Sequence, residues 1–222
     1  MRKPVENFAK DIGPADTEGR LDAPSFHKNK DGLAAEIRRL LGDRNGDVLE
    51  IGSGTGQHAV TFAAVLPEIT FWPSDPVNDH LGSIDAWRQS SGLTNIRPAT
   101  HLDCLEPVWN LGNRQLLPQS LDAAIAINVI HIAPWAVAEA ILAGASKYLR
   151  PGGLMIFYGP YKKNGQHISQ GNIDFDQALR SRNPAFGIRN LEDIVACGMK
   201  NGLKLHEVVE MAANNTLIVV AA

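Results

Sequence analysis

Cysteine is scarce in this chain: Cys104 and Cys197 are the only two among 222 residues. Two thiols far apart in sequence, with no C-x-x-C, supply neither a metal cluster nor a disulfide framework, and each reads as a small buried hydrophobe. Long apolar runs are missing too. The most apolar region, residues 123–145, is interrupted by Asn128, His131, Pro134 and Glu139. It therefore reads as a buried strand followed by a helix, not as a membrane span. The opening MRKPVENFAK has no apolar stretch behind its charges, which argues against a secretory signal. No charge sign dominates: 21 Lys and Arg stand against 24 Asp and Glu, a formal net charge of −3. That balance gives no electrostatic footprint for nucleic acid or an anionic membrane, and a cytoplasmic protein is the default expectation. There is no G-x-S-x-G elbow, no Walker loop, no H-E-x-x-H and no internal repeat.

What is present is organised around Asp47–Phe62, DVLEIGSGTGQHAVTF. Val48, Leu49 and Ile51 read as a strand buried on both faces, with Glu50 set into it. Gly52, Gly54 and Gly56 follow on alternate positions, and Ala59, Val60, Ala63 and Ala64 then fall at helical spacing. A strand, a glycine turn and a helix make the first half of a βαβ unit. The dinucleotide fingerprint G-x-G-x-x-G is not completed, because its last glycine falls on Gln57.

The hydrophobic fraction of 44% is enough for one sizeable core, and one domain is the expectation at this length. Residues 1–24 read as an irregular arm, and 25–222 as the domain. A helix is expected over 28–41. Short strands are expected at 69–72, 95–102, 122–127 and 154–158, with helices between them. Residues 203–209 and 216–220 pair as a closing hairpin, so at least one strand runs antiparallel to the rest. Residues 159–190 show little periodicity outside 175–179. They read as an insertion over the ligand edge of the sheet. Asp75 lies where a nucleotide fold places its ribose-binding acid. It also precedes Pro76, which suits an N-cap.

The pattern Glu50-x-Gly52-x-Gly54-x-Gly56 resembles the first motif of the class I methyltransferases that use S-adenosylmethionine (SAM). The order of strands, with acids after the second and third, resembles their doubly wound, Rossmann-like, seven-stranded α/β fold. A closer resemblance rests on Asn29-Lys30, Gln57-His58, Pro73-Ser74-Asp75, Asn128–Trp135, Tyr158-Gly159-Pro160-Tyr161, Arg182–Arg189 with Pro184 and Gly187, and Ala213-Asn214-Asn215. These are similar to a small family known mainly as an uncharacterised domain, whose animal member is called methyltransferase-like protein 26. Lys28 and Phe186 depart from its pattern, standing where an arginine and a tryptophan are expected.

The resemblance implies SAM as cofactor, held by Glu50, Gly52, Ser53, Gly54, Gly56, Gln57, Asp75, Asp103, Cys104, Leu105 and Asn128. It implies His131 and Tyr161 on the acceptor side, each either a base or a wall of the substrate site, and no metal. A general base is needed only if the acceptor is protonated at neutral pH. The acceptor is expected to be a small molecule; the oligomeric state is not legible. Two other functions stand beside this one. A SAM-binding scaffold without turnover is opposed by the intact turn and the polar insertion. An NAD(P) oxidoreductase is opposed by Gln57, by the closing hairpin, and by Glu50, which would repel a diphosphate.

Overall fold

The computed structural model describes residues 12–112, 114–117 and 119–222, the side chain of Arg114 excepted. The opening decapeptide and Pro118 thus lie outside the described residues. The chain divides into two compact units. One ends at Asp103 and takes in Asn110–Gln115; the other comprises Cys104–Trp109 and Leu116–Ala222.

In the first unit, α1 (Pro24–Leu41) starts four residues before the apolar spacing alone indicates. Proline presets the backbone angle of a first helical turn and lacks only an amide that would be unpaired there. Leu33, Ile37 and Leu41, at i, i+4 and i+8, form its buried stripe. β1 (Asp47–Ile51) leads through the glycine turn into α2 (Gln57–Val65). β2 (Thr70–Asp75) lies parallel to β1, with Asp47 opposite Thr70 and Ile51 opposite Ser74. α3 (Asn78–Ser91) follows. The next strand, expected over 95–102, is only β3 (Thr100–His101), beside an isolated bridge from Ile96 to Phe71. Pro98 stands between them and has no amide for a ladder, so the strand is broken there. The expected polar connection after it contains a small hairpin, β4 (Asn110–Leu111) with β5 (Arg114–Gln115).

In the second unit, β6 (Leu121–Ile127) is buried at every position. α4 (Trp135–Tyr148) leads to β7 (Leu149–Gly159), longer than expected and parallel to β6. Residues 159–190 are not a bare loop. They hold β8 (Tyr161–Lys163), β9 (Gln166–His167), α5 (Gln170–Arg182) and β10 (Arg189–Asn190), the strands forming a sheet in the order β10-β8-β9. The sequence conceals this for two reasons. The strands are too short to alternate, and α5 buries Asn172, Asp176 and Leu179, a helical face two-thirds polar. Ser169 starts α5 as a true N-cap, its hydroxyl accepting from the Asn172 amide at 3.2 Å. α6 (Leu191–Lys200) precedes β11 (Lys204–Met211), and β12 (Asn215–Ala221) runs antiparallel to both β11 and β7.

The strands form a seven-stranded, mostly parallel sheet: β1, β2 and β3 run parallel in the first unit, and β6, β7 and β11 run parallel in the second, with β12 antiparallel to its two neighbours. The fold is α/β with six helices among the described residues. None of these helices is long and apolar enough to cross a membrane.

Candidate functional site

In the first unit the C-terminal ends of β1 and β2 carry an acidic, hydrogen-bonded turn. Glu50 is fully buried, and its Oε2 has no hydrogen-bond partner among the described residues. Burial pushes its carboxyl up to about 8, against a hydrogen bond from Ser53 and with the charge of Asp75 adding to the rise. Burial therefore favours the neutral acid over the carboxylate. Ser53 sews the two strand ends together: its amide donates to the Ser74 carbonyl at 2.8 Å, and its hydroxyl accepts from the Ser74 amide at 3.1 Å.

Asp75 is the latch of this turn. Its Oδ2 accepts from the Gly54 amide at 2.8 Å; its Oδ1 accepts from the Val77 amide at 2.9 Å and pairs with His80 Nδ1 at 3.0 Å. Three of about four acceptor positions on the carboxylate are thereby used. Those bonds leave about one acceptor position on the carboxylate. Asp75 is not the N-cap of α3, a position that Val77 occupies. His80, not singled out in the sequence, is the missed member of this set. It is buried, and its Nε2 has no hydrogen-bond partner among the described residues. Its signal is the spacing Asp75-Pro76-x-x-x-His80, which sets the histidine in the first turn of α3, just past the acid that ends β2.

The glycines of the turn divide by role. Gly52, Gly54 and Gly56 all have positive φ, at 68°, 57° and 91°. A Cβ at Gly56 would lie 2.6 Å from the Ile84 Cα, so this glycine lets α2 and α3 touch. A Cβ at Gly54 would meet nothing within 4 Å, so this glycine borders open space. Gln57 is occupied elsewhere. Its Oε1 accepts from the Ala23 amide at 2.8 Å and from Thr55 Oγ1 at 2.9 Å, and its Nε2 donates to Asp22 Oδ1 at 2.7 Å. Its side chain fastens the segment ahead of α1. Asp103, half-buried, closes the first unit.

In the second unit, Cys104 and Leu105 open the chain; the Cys104 carbonyl accepts from Trp109 Nε1 at 3.3 Å. Asn128 caps the end of β6 in the left-handed region, at φ 57°, with its amide donating to the Tyr158 carbonyl at 2.8 Å. Asparagine tolerates that region better than other side chains. His131 is buried, and its ring meets Phe175 edge-on with centroids 5.7 Å apart. A Cβ at Gly159 would lie 3.0 Å from His131 Cε1 and 3.4 Å from Asn128 Oδ1, so the bare backbone there admits both side chains. Burial, with the nearby Arg189 charge, pulls the imidazole down to about 3. Tyr161 is buried as well, its hydroxyl without a partner among the described residues and its ionisation pushed upward by burial.

The loop holding His131 is clamped. The His131 carbonyl accepts from the Gly187 amide at 2.9 Å. Arg189 donates from Nε to the Ile130 carbonyl at 3.0 Å, and from Nη2 to those of Ala133 at 2.5 Å and Ala185 at 2.7 Å. The sequence places Arg189 in the insertion and in the Arg182–Arg189 stretch of the family resemblance, without showing this clamp.

The chain matches the protein family described as "Protein of unknown function (DUF938)" over residues 20–221. Among solved structures it is similar to an O-methyltransferase family protein from Burkholderia thailandensis, with a TM-score of 0.71 and 11% identity, over 89% of this chain and 57% of the other. A protein described as a putative O-methyltransferase from Nostoc punctiforme gives 0.72 and 14% identity, over 89% and 59%. Human N-acetylserotonin methyltransferase, solved in complex with SAM, gives 0.69 and 13% identity, over 89% and 52%. The chain thus spans little more than half the length of each, and at these identities the likeness establishes the fold.

Proposed function

The chain belongs to the DUF938 family, and from that premise we propose that it is a SAM-dependent methyltransferase with a small-molecule acceptor. One observation carries the reading: the buried carboxyl of Glu50, whose Oε2 has no hydrogen-bond partner among the described residues, beside a glycine turn that opens on free space at Gly54. Such an acid is costly unless a cation completes it. The ammonium of SAM suits it, and a diphosphate does not. Support also comes from the fold shared with methyltransferases and from the resemblance to the methyltransferase-like protein 26 family.

Glu50, Gly52, Ser53, Gly54 and Asp75 are the proposed cofactor set in the first unit, with Asp103 following β3. Cys104, Leu105 and Asn128 are the proposed contributors of the second. Gly56 and Gln57 are accounted for by packing and by the anchoring of Asp22 and Ala23. When bound, SAM supplies an electrophilic methyl group on a sulfonium. The protein's task is then to orient the acceptor and exclude water. His131, neutral and held by its carbonyl and by Gly159, serves as a hydrogen-bonding and packing contact. With its pKa at about 3 it is too weakly basic to drive proton removal near neutrality. Tyr161, protonated at any ordinary pH, can only donate or accept a hydrogen bond.

The experiment is a calorimetric titration with SAM, S-adenosylhomocysteine and NAD, followed by incubation with SAM and a cell-extract metabolite mixture. Saturable binding of the first two with conversion of SAM to S-adenosylhomocysteine is expected. Binding without conversion points to a SAM-binding scaffold; tighter binding of NAD overturns the cofactor assignment.

A further inference from the structure

The second unit contains a groove of ≈ 630 Å³ that the proposed chemistry does not use. Its size is ordinary for a small-molecule site. α4, α5, α6 and the strands β8 and β10 contribute its walls. Four cations line it, Lys162, Arg180, Arg189 and Lys200, against two carboxylates, Glu139 and Asp193.

The cations are arranged, not scattered. Behind the wall lies Asp176, nearly fully buried. Its Oδ1 accepts from the Ile188 amide at 2.6 Å. Its Oδ2 gathers Arg180 Nε at 3.2 Å, Lys162 Nζ at 3.3 Å and His167 Nε2 at 3.2 Å. One carboxylate thus holds two full cations and a histidine, which leaves positive charge in excess. Gly187 makes room for this knot, since a Cβ there would lie 2.7 Å from both Arg180 Nη2 and Asp176 Oδ1. Arg189 adds a second guanidinium, half-buried, and the three bonds described above go to neutral carbonyls. Burial, and then the charge of Arg180, hold its pKa below the usual arginine value. Two guanidinium groups that press on each other beside a cavity lose that cost when an anion enters.

We infer that this groove is a binding site for the oxyanion group of a small organic acid or phosphate ester, held by Arg180, Arg189, Lys162 and Lys200. Carboxylate and phosphate each present a pair of oxygens that a guanidinium can meet with two parallel hydrogen bonds. The site does not depend on the SAM assignment and stands or falls without it.

The test uses the full chain without SAM. Inorganic phosphate and citrate are titrated separately by calorimetry at fixed ionic strength, with sodium chloride as the control. Saturable single-site binding of one or both is expected, and which of them binds more tightly distinguishes a phosphate ligand from a carboxylate. Arg180→Gln and Lys200→Glu should each weaken that binding about tenfold or more. Lys200 is exposed in the last turn of α6, so its variant folds and remains informative should Arg180→Gln unfold. Absence of saturable binding by either anion overturns the proposal, as does binding that Lys200→Glu leaves unchanged.

Discussion

The Gly54 amide donates to Oδ2 of Asp75 at 2.8 Å, joining two residues 21 apart in the sequence. The bond makes the acid at the end of β2 a part of the glycine turn at the end of β1. Asp75→Ala therefore acts twice. Without ligand it should lose about 1–3 kcal/mol of stability, since the amides of Gly54 and Val77 lose a charged acceptor. It should also weaken SAM binding roughly 10- to 150-fold. Thermal denaturation and calorimetry read the two effects separately. An unchanged melting temperature without ligand would show that the latch contributes nothing to the fold.

Glu50 sets a proton balance. Its folded pKa of about 8 lies above the ordinary 4.5. Its contribution to stability is thus full below pH 4.5 and is lost as pH rises through 8. Glu50→Gln should make the ligand-free protein more stable than wild type in mildly alkaline buffer, with the gap closing on acidification. Wild type should also release about one proton on binding SAM at neutral pH, as the carboxyl ionises against the ammonium. Titration in buffers of different ionisation enthalpy measures this, and Glu50→Gln should release none while binding SAM more weakly.

Gly54 and Gly56 should fail differently. Gly56→Ala drives a methyl into the Ile84 backbone and should unfold or strongly destabilise the protein. Gly54→Ala meets open space, so its cost is backbone strain of about 1–2 kcal/mol at positive φ. It should keep the fold and lose SAM affinity. Circular dichroism with calorimetry separates them, and equal SAM affinity for Gly54→Ala and wild type would make that turn purely structural.

Acid should weaken the fold through two histidines. Burial lowers His58 to about 4 and, with help from Arg189, lowers His131 to about 3, both from 6.5. Their contribution is whole above pH 6.5 and is lost as pH falls through those values, because the unfolded chain takes up the protons first. Each adds a slope of about 1.4 kcal/mol per pH unit in the lower part of that window. Denaturant titrations of His58→Gln and wild type at several pH values should differ by one such slope.

His131→Ala should slow methyl transfer and leave SAM affinity near wild type. With an imidazole this weakly basic, the wild-type rate should show no histidine titration between about pH 5 and 7.5. Single-turnover rates across that range check both statements; a rate that falls on an inflection near 6.5 and loses it in His131→Ala would restore a base role.

Much of this is legible in the amino-acid sequence. The strand–glycine–helix unit and the closing hairpin follow from apolar spacing and from three glycines, and the class of sheet from the resemblance of that pattern to the class I methyltransferases. What escaped has specific physical causes. Pro98 cut an expected strand down to Thr100–His101. The helix of the insertion hid because Asn172 and Asp176 occupy its buried face. Gln57 is expected beside the cofactor, and its bonds to Ala23, Thr55 and Asp22 are what adjacency in sequence does not show. Arg189 reads as one cation of a substrate-covering insertion, and only its carbonyl partners reveal a clamp. His80 has only its spacing from Asp75 as a signal; it matters through a bond to that residue.

The hold that Gln57 keeps on Asp22 and Ala23 bears on how this protein can be trimmed. Leu21 adds to it, its amide donating to Ser83 Oγ at 2.9 Å and its carbonyl accepting from Trp87 Nε1 at 2.8 Å. Arg20 stacks over the Trp87 ring and donates to Ser90 Oγ. A cut at residue 25, where the letters suggest the domain begins, would sever all of these ties at once. It would leave the Gln57 amide and the Trp87 indole facing solvent. The chain of ties reaches upstream to Asp16, whose carboxylate secures Arg20, so a trimmed protein keeps them all only if it begins before that residue.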